Sequence, residues 1–504
     1  MKSRTLTFVT ATTLLVTLAV PVRLAAQERN SNRRHRHHRY KFIDIGALGG
    51  PNSYFSAGGV GNLVLNNQGV VAGYGDTSAP DPYAPNCFDV DCFLAHAFRW
   101  QNGVLTDLGA LSGANSSAVS GINARGWIAG LSQNGVIDPL LGIPETRAVL
   151  WKDDQIIDLG TLGGNESVAI GVNNRGQVIG FATNATPDPF SGFGTQVRAF
   201  LWENGVMQDL GALGGPDSPP LGNTIINESG QIAGSSNTDS TPNPLTGIPT
   251  TDPFLWENGT MTDLGTLGGT LGFPVFLNNR GEVVGQSNLA GDVTAHPFLW
   301  HRGTMTDLGT LGGTFGAANW INDAGEVVGS ATTPGDQLFH AFLWRNGVMK
   351  DLGTVGNDCF SEALAVSAKG QILGQSSACD FSTARAFIWE NGSMIDLNTL
   401  IPPNSSLQLV FAGNINDRGE IVGAGVPPGD PPNPDLFGRL FLLIPCDEHH
   451  PGVAGCDYSM VEASEIASRP SPAISDAASR TLPQSLMRRM SRFRFPGPAL
   501  GPRN

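Results

Sequence analysis

Short apolar runs alternate with polar, glycine-rich turns along most of the chain. His96-Ala97-Phe98-Arg99-Trp100 recurs as Arg147-Ala148-Val149-Leu150-Trp151 and as Arg198-Ala199-Phe200-Leu201-Trp202. Further copies begin at Asp252, His296, His340 and Arg385, and a worn copy without Trp runs from Arg439 to Leu443. Runs this short, aromatic and bounded by turn residues predict strands rather than helices. This strand is called a. A tight turn follows, often Asn-Gly, as at Asn102-Gly103, Asn204-Gly205, Asn258-Gly259, Asn346-Gly347 and Asn391-Gly392. Asn and Gly tolerate the positive φ of a type I′ turn, so a hairpin to a second strand, b, is expected.

Strand b ends in Asp-Leu-Gly or a variant, with its acid at Asp44, Asp107, Asp158, Asp209, Asp263, Asp307, Asp351 and Asp396. A Thr-Leu-Gly-Gly type link leads to strand c, such as Ser167 to Val172, and a turn such as Asn173-Asn174-Arg175-Gly176 leads to strand d. Strand d carries small residues, as in Val283-Val284-Gly285, Val327-Val328-Gly329 and Ile421-Val422-Gly423. The mean spacing from His96 to Arg385 is about 48 residues, close to the roughly 40–50 of a four-stranded propeller blade. Each strand type occurs eight times. The chain starts with b, c and d and ends with a lone a, so the two partial units are complementary.

The fold expected is therefore all-β: one β-propeller of eight four-stranded blades, closed by pairing of N-terminal and C-terminal strands. Blades narrow toward the axis, which places the Gly- and Ala-rich strand c innermost, then d, a and b. Phe42 to Gly46 then becomes the outer strand of the last blade. A β-solenoid would have shorter repeats and no use for complementary ends.

Composition agrees with this. The 504 residues include 65 Gly and 34 Pro but only 15% charged residues, which suits many tight turns better than long helices. Residues 1–26 resemble a secretory signal peptide, with basic Lys2 and Arg4, an apolar Phe8–Val20 and small residues before a cut after Ala26. The expected location is secreted, periplasmic or extracellular, without a transmembrane anchor. The formal charge is −14, and loss of the leader removes Lys2, Arg4 and Arg23, making the remainder more acidic. Nucleic acid is thus a poor partner. Six cysteines form three local pairs, Cys87 with Cys92, Cys359 with Cys379 and Cys446 with Cys456, and export favours disulfides. Cys359 and Cys379 lie symmetrically about the turn near Lys369, so they face each other on neighbouring strands.

The run Phe-Leu-Trp-x-x-Gly-x-Met-x-Asp-Leu-Gly-Thr-Leu-Gly-Gly, followed by Ile-Asn-x-x-Gly-x-Val-x-Gly, resembles the bacterial extracellular HAF-repeat family. The His-Ala-Phe triplet is literal at His96-Ala97-Phe98 and His340-Ala341-Phe342. The resemblance spans residues 40 to 445 and implies an exported, propeller-like repeat protein. It brings no activity and no catalytic residues.

Residues that recur in every unit build the unit. The strand-b Asp satisfies backbone donors, the Trp residues pack between blades, and His96, His296 and His340 fall in different blades and so cannot share a metal. No Gly-x-Ser-x-Gly elbow, His-Glu-x-x-His helix or P-loop occurs, and no cofactor, metal or catalytic residue is assigned. Length variation sits in the d-to-a connections, all on one face. Three long ones are alike: Asp138 to Pro144, Asp188 to Phe193 and Asn243 to Pro249. Their apolar tips, Leu140, Ile143, Phe190, Phe193, Leu245 and Ile248, together with Asp89 and Asp91 of the first long loop, make the candidate binding face.

Residues 27–41 form a basic His/Arg-rich arm expected to be disordered and solvated, 42–445 the propeller, and 446–504 a mostly disordered tail. The favoured function is a secreted, non-catalytic binding or scaffold protein, monomeric, holding a glycan, peptide or envelope component by the long-loop face. The alternative is a polysaccharide hydrolase or lyase using Asp89, Asp91, Asp138 or Asp188 at the propeller mouth, which requires a cleft there with facing carboxylates.

Overall fold

The computed structural model describes residues 36–56, 63–89, 91–111, 113, 115–188, 191–218, 224–244, 247, 249–430 and 438–462. Apart from a 3-10 turn at Leu397–Thr399, its regular structure is strand. Eight antiparallel four-stranded sheets follow one another, each in the order c–d–a–b. They span 49–109, 117–158, 163–209, 224–263, 268–307, 316–351, 360–396 and 408–445, here blades 1 to 8. In blade 8 the outer strand is Tyr40–Asp44, which pairs with Arg439–Pro445 in the register Tyr40–Pro445 to Asp44–Phe441. The complementary ends of the sequence therefore meet as expected.

The turns follow their chemistry. Asn204 and Gly205 have φ of 53° and 85°, and the other Asn-Gly pairs match them, so positive φ at both positions gives the primed hairpin. In every blade but the second, where Val149 stands in its place, the core forms where the Phe of strand a crosses the Gly of strand d. Phe200 lies opposite Gly180, Phe298 opposite Gly285 and Phe342 opposite Gly329, with each ring fully buried. A Cβ on Gly180 would collide with the Val168 carbonyl of the bulged inner strand, so only Gly lets three strands close over the ring. The Trp residues pack between blades: Trp151 joins Val70, Ala72 and Ala97 of blade 1, and its Nε1 donates to Leu108 O at 3.2 Å.

Blade junctions use a second rule. Where strand a of blades 1, 2, 3 and 6 carries Ala, the next inner strand carries Ser, whose Oγ accepts the Ala N–H. Ser117 takes Ala97 N and Ser167 takes Ala148 N at 2.9 Å each, and Ser361 takes Ala341 N at 2.8 Å. The same hydroxyls donate backward, to Gly109 O and Gly160 O at 2.7 Å and to Gly353 O at 2.6 Å. Where strand a carries Pro there is no N–H to accept, and the next inner strand has Gly. A Cβ on Gly272 would lie 2.8 Å from Pro253 Cδ, and one on Gly316 would lie 2.9 Å from Pro297 Cδ. At these six junctions Ala goes with Ser and Pro with Gly, whereas at the closing junction Ser53 takes the N–H of Leu440.

The face made by the c–d turns is bound by an amide ladder. Asn123 Oδ1 accepts Arg125 N and Trp127 N within its own turn, while its Nδ2 donates to Asn173 O of the next blade. The pattern repeats through Asn173, Asn227, Asn278 and Asn322. It crosses from blade 8 to blade 1, where Asn416 Nδ2 donates to Asn66 O at 3.0 Å. Sequence reading gave these residues to the turns alone. Blade 7 has Ser367 there, which caps its turn but has no amide to extend.

The basic arm departs from expectation in its described part. Arg36–His38 pairs with Met460–Glu462 of the tail, and His37, 1% exposed, meets Glu390 of blade 7 at 2.6 Å. Burial alone would raise Glu390, but hydrogen bonds from His37 and Gln371 hold it below the usual carboxylate range. The Cys446–Cys456 disulfide lies beside this ribbon, and Cys446 N donates to Arg39 O. A solvated arm was expected because the segment is basic; a buried acid and a pairing strand tie it down instead.

Candidate functional site

The face opposite the ladder carries the d-to-a connections. In blades 5 and 6 these are tight turns around Asp292 and Asp336, which accept from N and Oγ1 of Thr270 and of Thr314 at 2.6–2.9 Å. Burial opposes ionisation, but these bonds outweigh it and hold both acids below the usual range. In blades 1 to 3, strands d and a run on past a register shift into projecting hairpins, closed by the pairs Pro80–Phe93, Ile137–Pro144 and Pro187–Thr195.

The blade 2 finger is shaped by Asp138. Its Oδ1 accepts Leu140 N and Leu141 N at 2.7 and 2.8 Å, and its Oδ2 accepts Asn165 Nδ2 of blade 3 at 2.8 Å. These bonds overcome burial and hold the acid below the usual carboxylate range while fixing the shape of the tip. Leu140 is left 64% exposed and leans on Gly194 at the base of the blade 3 finger. Between the fingers lies a cavity of about 250 Å³ lined by Asp138, Leu140, Gly163, Gly164, Asn165, Glu166, Thr183, Asn184, Ala185, Phe193, Gly194 and Thr195. Leu140 and Phe193, chosen from separate repeats, therefore share one site. Ile143 is half-buried at the finger base and does not line it. Phe190, Leu245 and Ile248 lie outside the described residues.

Glu166 is the part of this site that sequence reading missed. It is 4% exposed, and its Oε2 accepts from both N and Oγ1 of Thr146 in blade 2. Among the described residues the buried Oε1 has no hydrogen-bond partner. Burial raises its pKa, the Thr146 donors lower it, and the charges of Asp138 and Glu145 raise it again; the net direction is up. Asp217 is its counterpart in blade 4, accepting Val197 N at 2.8 Å and pushed up to about 6 by burial and then by Asp188, against the pull of that N–H. The signal was available: the same column holds Leu271 and Phe315 in blades 5 and 6.

Asp89 and Asp91 belong to a different cluster, in blade 1, and do not reach the cavity. The Cys87–Cys92 disulfide pins their loop. Asp91 Oδ2 accepts Tyr54 Oη at 2.8 Å and Asn52 Nδ2 at 2.9 Å, and Asp76 Oδ2 accepts Asn52 N at 2.8 Å. Tyr54 stacks on Tyr74 at 4.8 Å. Burial first, then the Asp91 charge working against the Asn52 N–H, pushes Asp76 up to about 7. Burial and the charges of Asp91, Asp76 and Asp81 push Asp89 up to about 8.

The recurring acids and histidines are structural. Asp107, Asp307 and Asp351 accept the N–H of the Gly two residues on, and pair with His96, His296 and His340 at 2.9–3.1 Å. Among the described residues no group of three or more His, Cys, Asp or Glu is arranged to hold a metal ion. A second cavity, of about 70 Å³, lies among the inner strands of blades 2 to 5. Leu63, Ile122, Ile170, Ile225 and Phe276 are among its lining residues, and no carboxylate is. All three expected disulfides are present, Cys359–Cys379 included. Among the described residues no helix is long and apolar enough to cross a membrane.

No family model and no curated relative matches this chain. Among solved structures it is similar to the β-propeller domain of the trilobed protease from Pyrococcus furiosus, at 8% identity and a TM-score of 0.41, over 69% of this chain and 98% of that one. It is similar to an acylaminoacyl peptidase from Pyrococcus horikoshii at 11% identity and a TM-score of 0.37, over 74% and 58%. An ulvan lyase gives 11% identity and a TM-score of 0.33, over 69% and 99%. These likenesses concern architecture and carry no chemistry across; the β-propeller is established by the strand pairing of the chain itself.

Proposed function

We propose that this is an exported, non-catalytic binding or scaffold protein, acting as a monomer, that holds an extracellular glycan, peptide or envelope component on the face carrying the long d-to-a fingers. The observation that carries this reading is the cavity where Leu140 of one finger meets Phe193 of the next. Exposed apolar tips around a concave site with a few fixed polar groups are what recognition requires. Of the acids named for the alternative, Asp138 is used by its own turn, and Asp89 and Asp91 cluster within blade 1, away from this cavity. The three disulfides support an oxidising compartment. The recurring His-Ala-Phe and Asp-Leu-Gly runs support placing the chain with the HAF-repeat proteins.

The test is a glycan and peptide array probed with the purified protein, with each bound polymer then assayed for cleavage. Binding without turnover is expected. Turnover abolished by Asp89→Asn or Asp138→Asn would overturn the reading.

A further inference from the structure

We propose that the cavity between blades 2 and 3 receives a basic side chain, the ammonium of lysine or the guanidinium of arginine, presented by a peptide partner. This rests on the loop-face reading above and narrows it to one ligand chemistry. Asp138 and Glu166, each 4% exposed, line the cavity, and Glu145, 8% exposed and outside its lining, lies near enough for its charge to act on Glu166. Asn134 Nδ2 satisfies Glu145 Oε2, and Asp138 is satisfied by its turn and by Asn165. Glu166 is among the residues that line the cavity, its buried Oε1 has no hydrogen-bond partner among the described residues, and the charges acting on it are those of the other two acids.

A buried acid with a vacant acceptor is costly until a donor arrives, and a cation also offsets the negative charge around it. A neutral sugar hydroxyl fills the acceptor and leaves the charge. The rest of the cavity fits a basic side chain as well. Leu140 offers an apolar wall for an alkyl stem, and the ring of Phe193 offers a face to the charged head. At about 250 Å³ the space is smaller than the roughly 300–1,000 Å³ of drug-sized sites, which suits one side chain better than an oligosaccharide. In blades 5 and 6 the column of Glu166 is Leu271 and Phe315, whereas in blade 4 it is again an acid, Asp217, so a buried carboxylate here goes with the junctions beside the long fingers and is not a demand of the fold.

The experiment is saturation-transfer NMR on the whole protein with N-acetyl-arginine methylamide, N-acetyl-lysine methylamide, N-acetyl-leucine methylamide and methyl β-glucoside. The two basic amides are expected to bind, to weaken with added salt, and to lose at least tenfold in affinity in Glu166→Gln and in Phe193→Ala. The leucine amide and the glucoside are expected not to bind. If Glu166→Gln fails to fold, Phe193→Ala carries the test, and Val348→Ser on the opposite face is the control. Basic amides binding no better than the leucine amide, or binding folded Glu166→Gln unchanged, would overturn the inference. Should only the glucoside bind, and lose binding in Leu140→Ala, the cation inference fails while the loop-face reading stands. Should no probe bind, the inference fails, and the array experiment decides the wider reading separately.

Discussion

At the junction of blades 2 and 3, Ser167 takes the Ala148 N–H and Glu166 takes the Thr146 N–H. At the junction of blades 5 and 6 the same two columns hold Gly316 and Phe315, facing Pro297 and Ala295. There the backbones bridge directly, Ala295 to Phe315. Both junctions complete the same ring with the same strands. One inserts a carboxylate and a hydroxyl between the blades and carries long fingers over a cavity; the other closes tightly under a turn sealed by Asp336. The repeat fixes the blades, so the space for recognition opens where the repeat departs from itself.

The comparison breaks first if the two junctions differ in core rather than in chemistry. Phe200→Ala and Phe298→Ala each remove a fully buried ring. Both should destabilise by about 3–5 kcal/mol in chemical denaturation, and equally. Gly316→Ser drives a side chain against Pro297 and should destabilise by about 1–3 kcal/mol. Adding Pro297→Ala restores the Ala–Ser pair, so the double variant should recover most of that loss. A strictly additive result would show that the two columns are not coupled. Ser167→Ala strands the Ala148 N–H at the other junction and should cost about 1–3 kcal/mol.

Acidity should separate the two halves by sign. Asp76 and Asp89 rise on folding, to about 7 and about 8, so the folded state binds the extra protons. Their stabilising effect is complete below the unfolded value near 4 and is lost as pH rises through 7 to 8. Asp292 and Asp336 are lowered, so their contribution is full above about pH 4 and is lost only as pH falls below it. Hydrogen exchange corrected for intrinsic rates should show the Asn52 amide, which donates to Asp76, losing protection from pH 5 to 8. Thr270 and Thr314 should hold theirs over that range; the opposite pattern would sink the assignment. The smallest effect concerns the opposite face, where Ser367→Asn supplies the ladder's missing amide and should stabilise by about 0.5–1.5 kcal/mol.

Much of the fold was legible because propeller physics repeats in sequence. The strand-b Asp recurs eight times, Asn-Gly marks five of the hairpins, and the two partial end units complement each other. The site was half legible. Leu140 and Phe193 were visible as apolar residues in polar loops, which is an unusual place for them. Glu166 and Asp76 were not, because each lies on or at the end of a strand, where an acid reads as a solvent-facing position. Their burial follows from a neighbouring blade about a repeat length away, and only comparison of one column across blades exposes them. The basic arm misled for a similar reason, since the partner of His37, Glu390, lies 353 residues on.

The claim at the centre of this account is that recognition belongs to the finger face. The most direct measurement compares array binding by the wild type, by Leu140→Ala/Phe193→Ala, and by Val206→Ser/Val348→Ser, whose exposed positions sit on turns of the opposite face. The account predicts that ligands captured by the wild type are lost by the finger variant and kept by the turn variant, with both variants folded. Capture that survives the finger changes and disappears with the turn changes would contradict it.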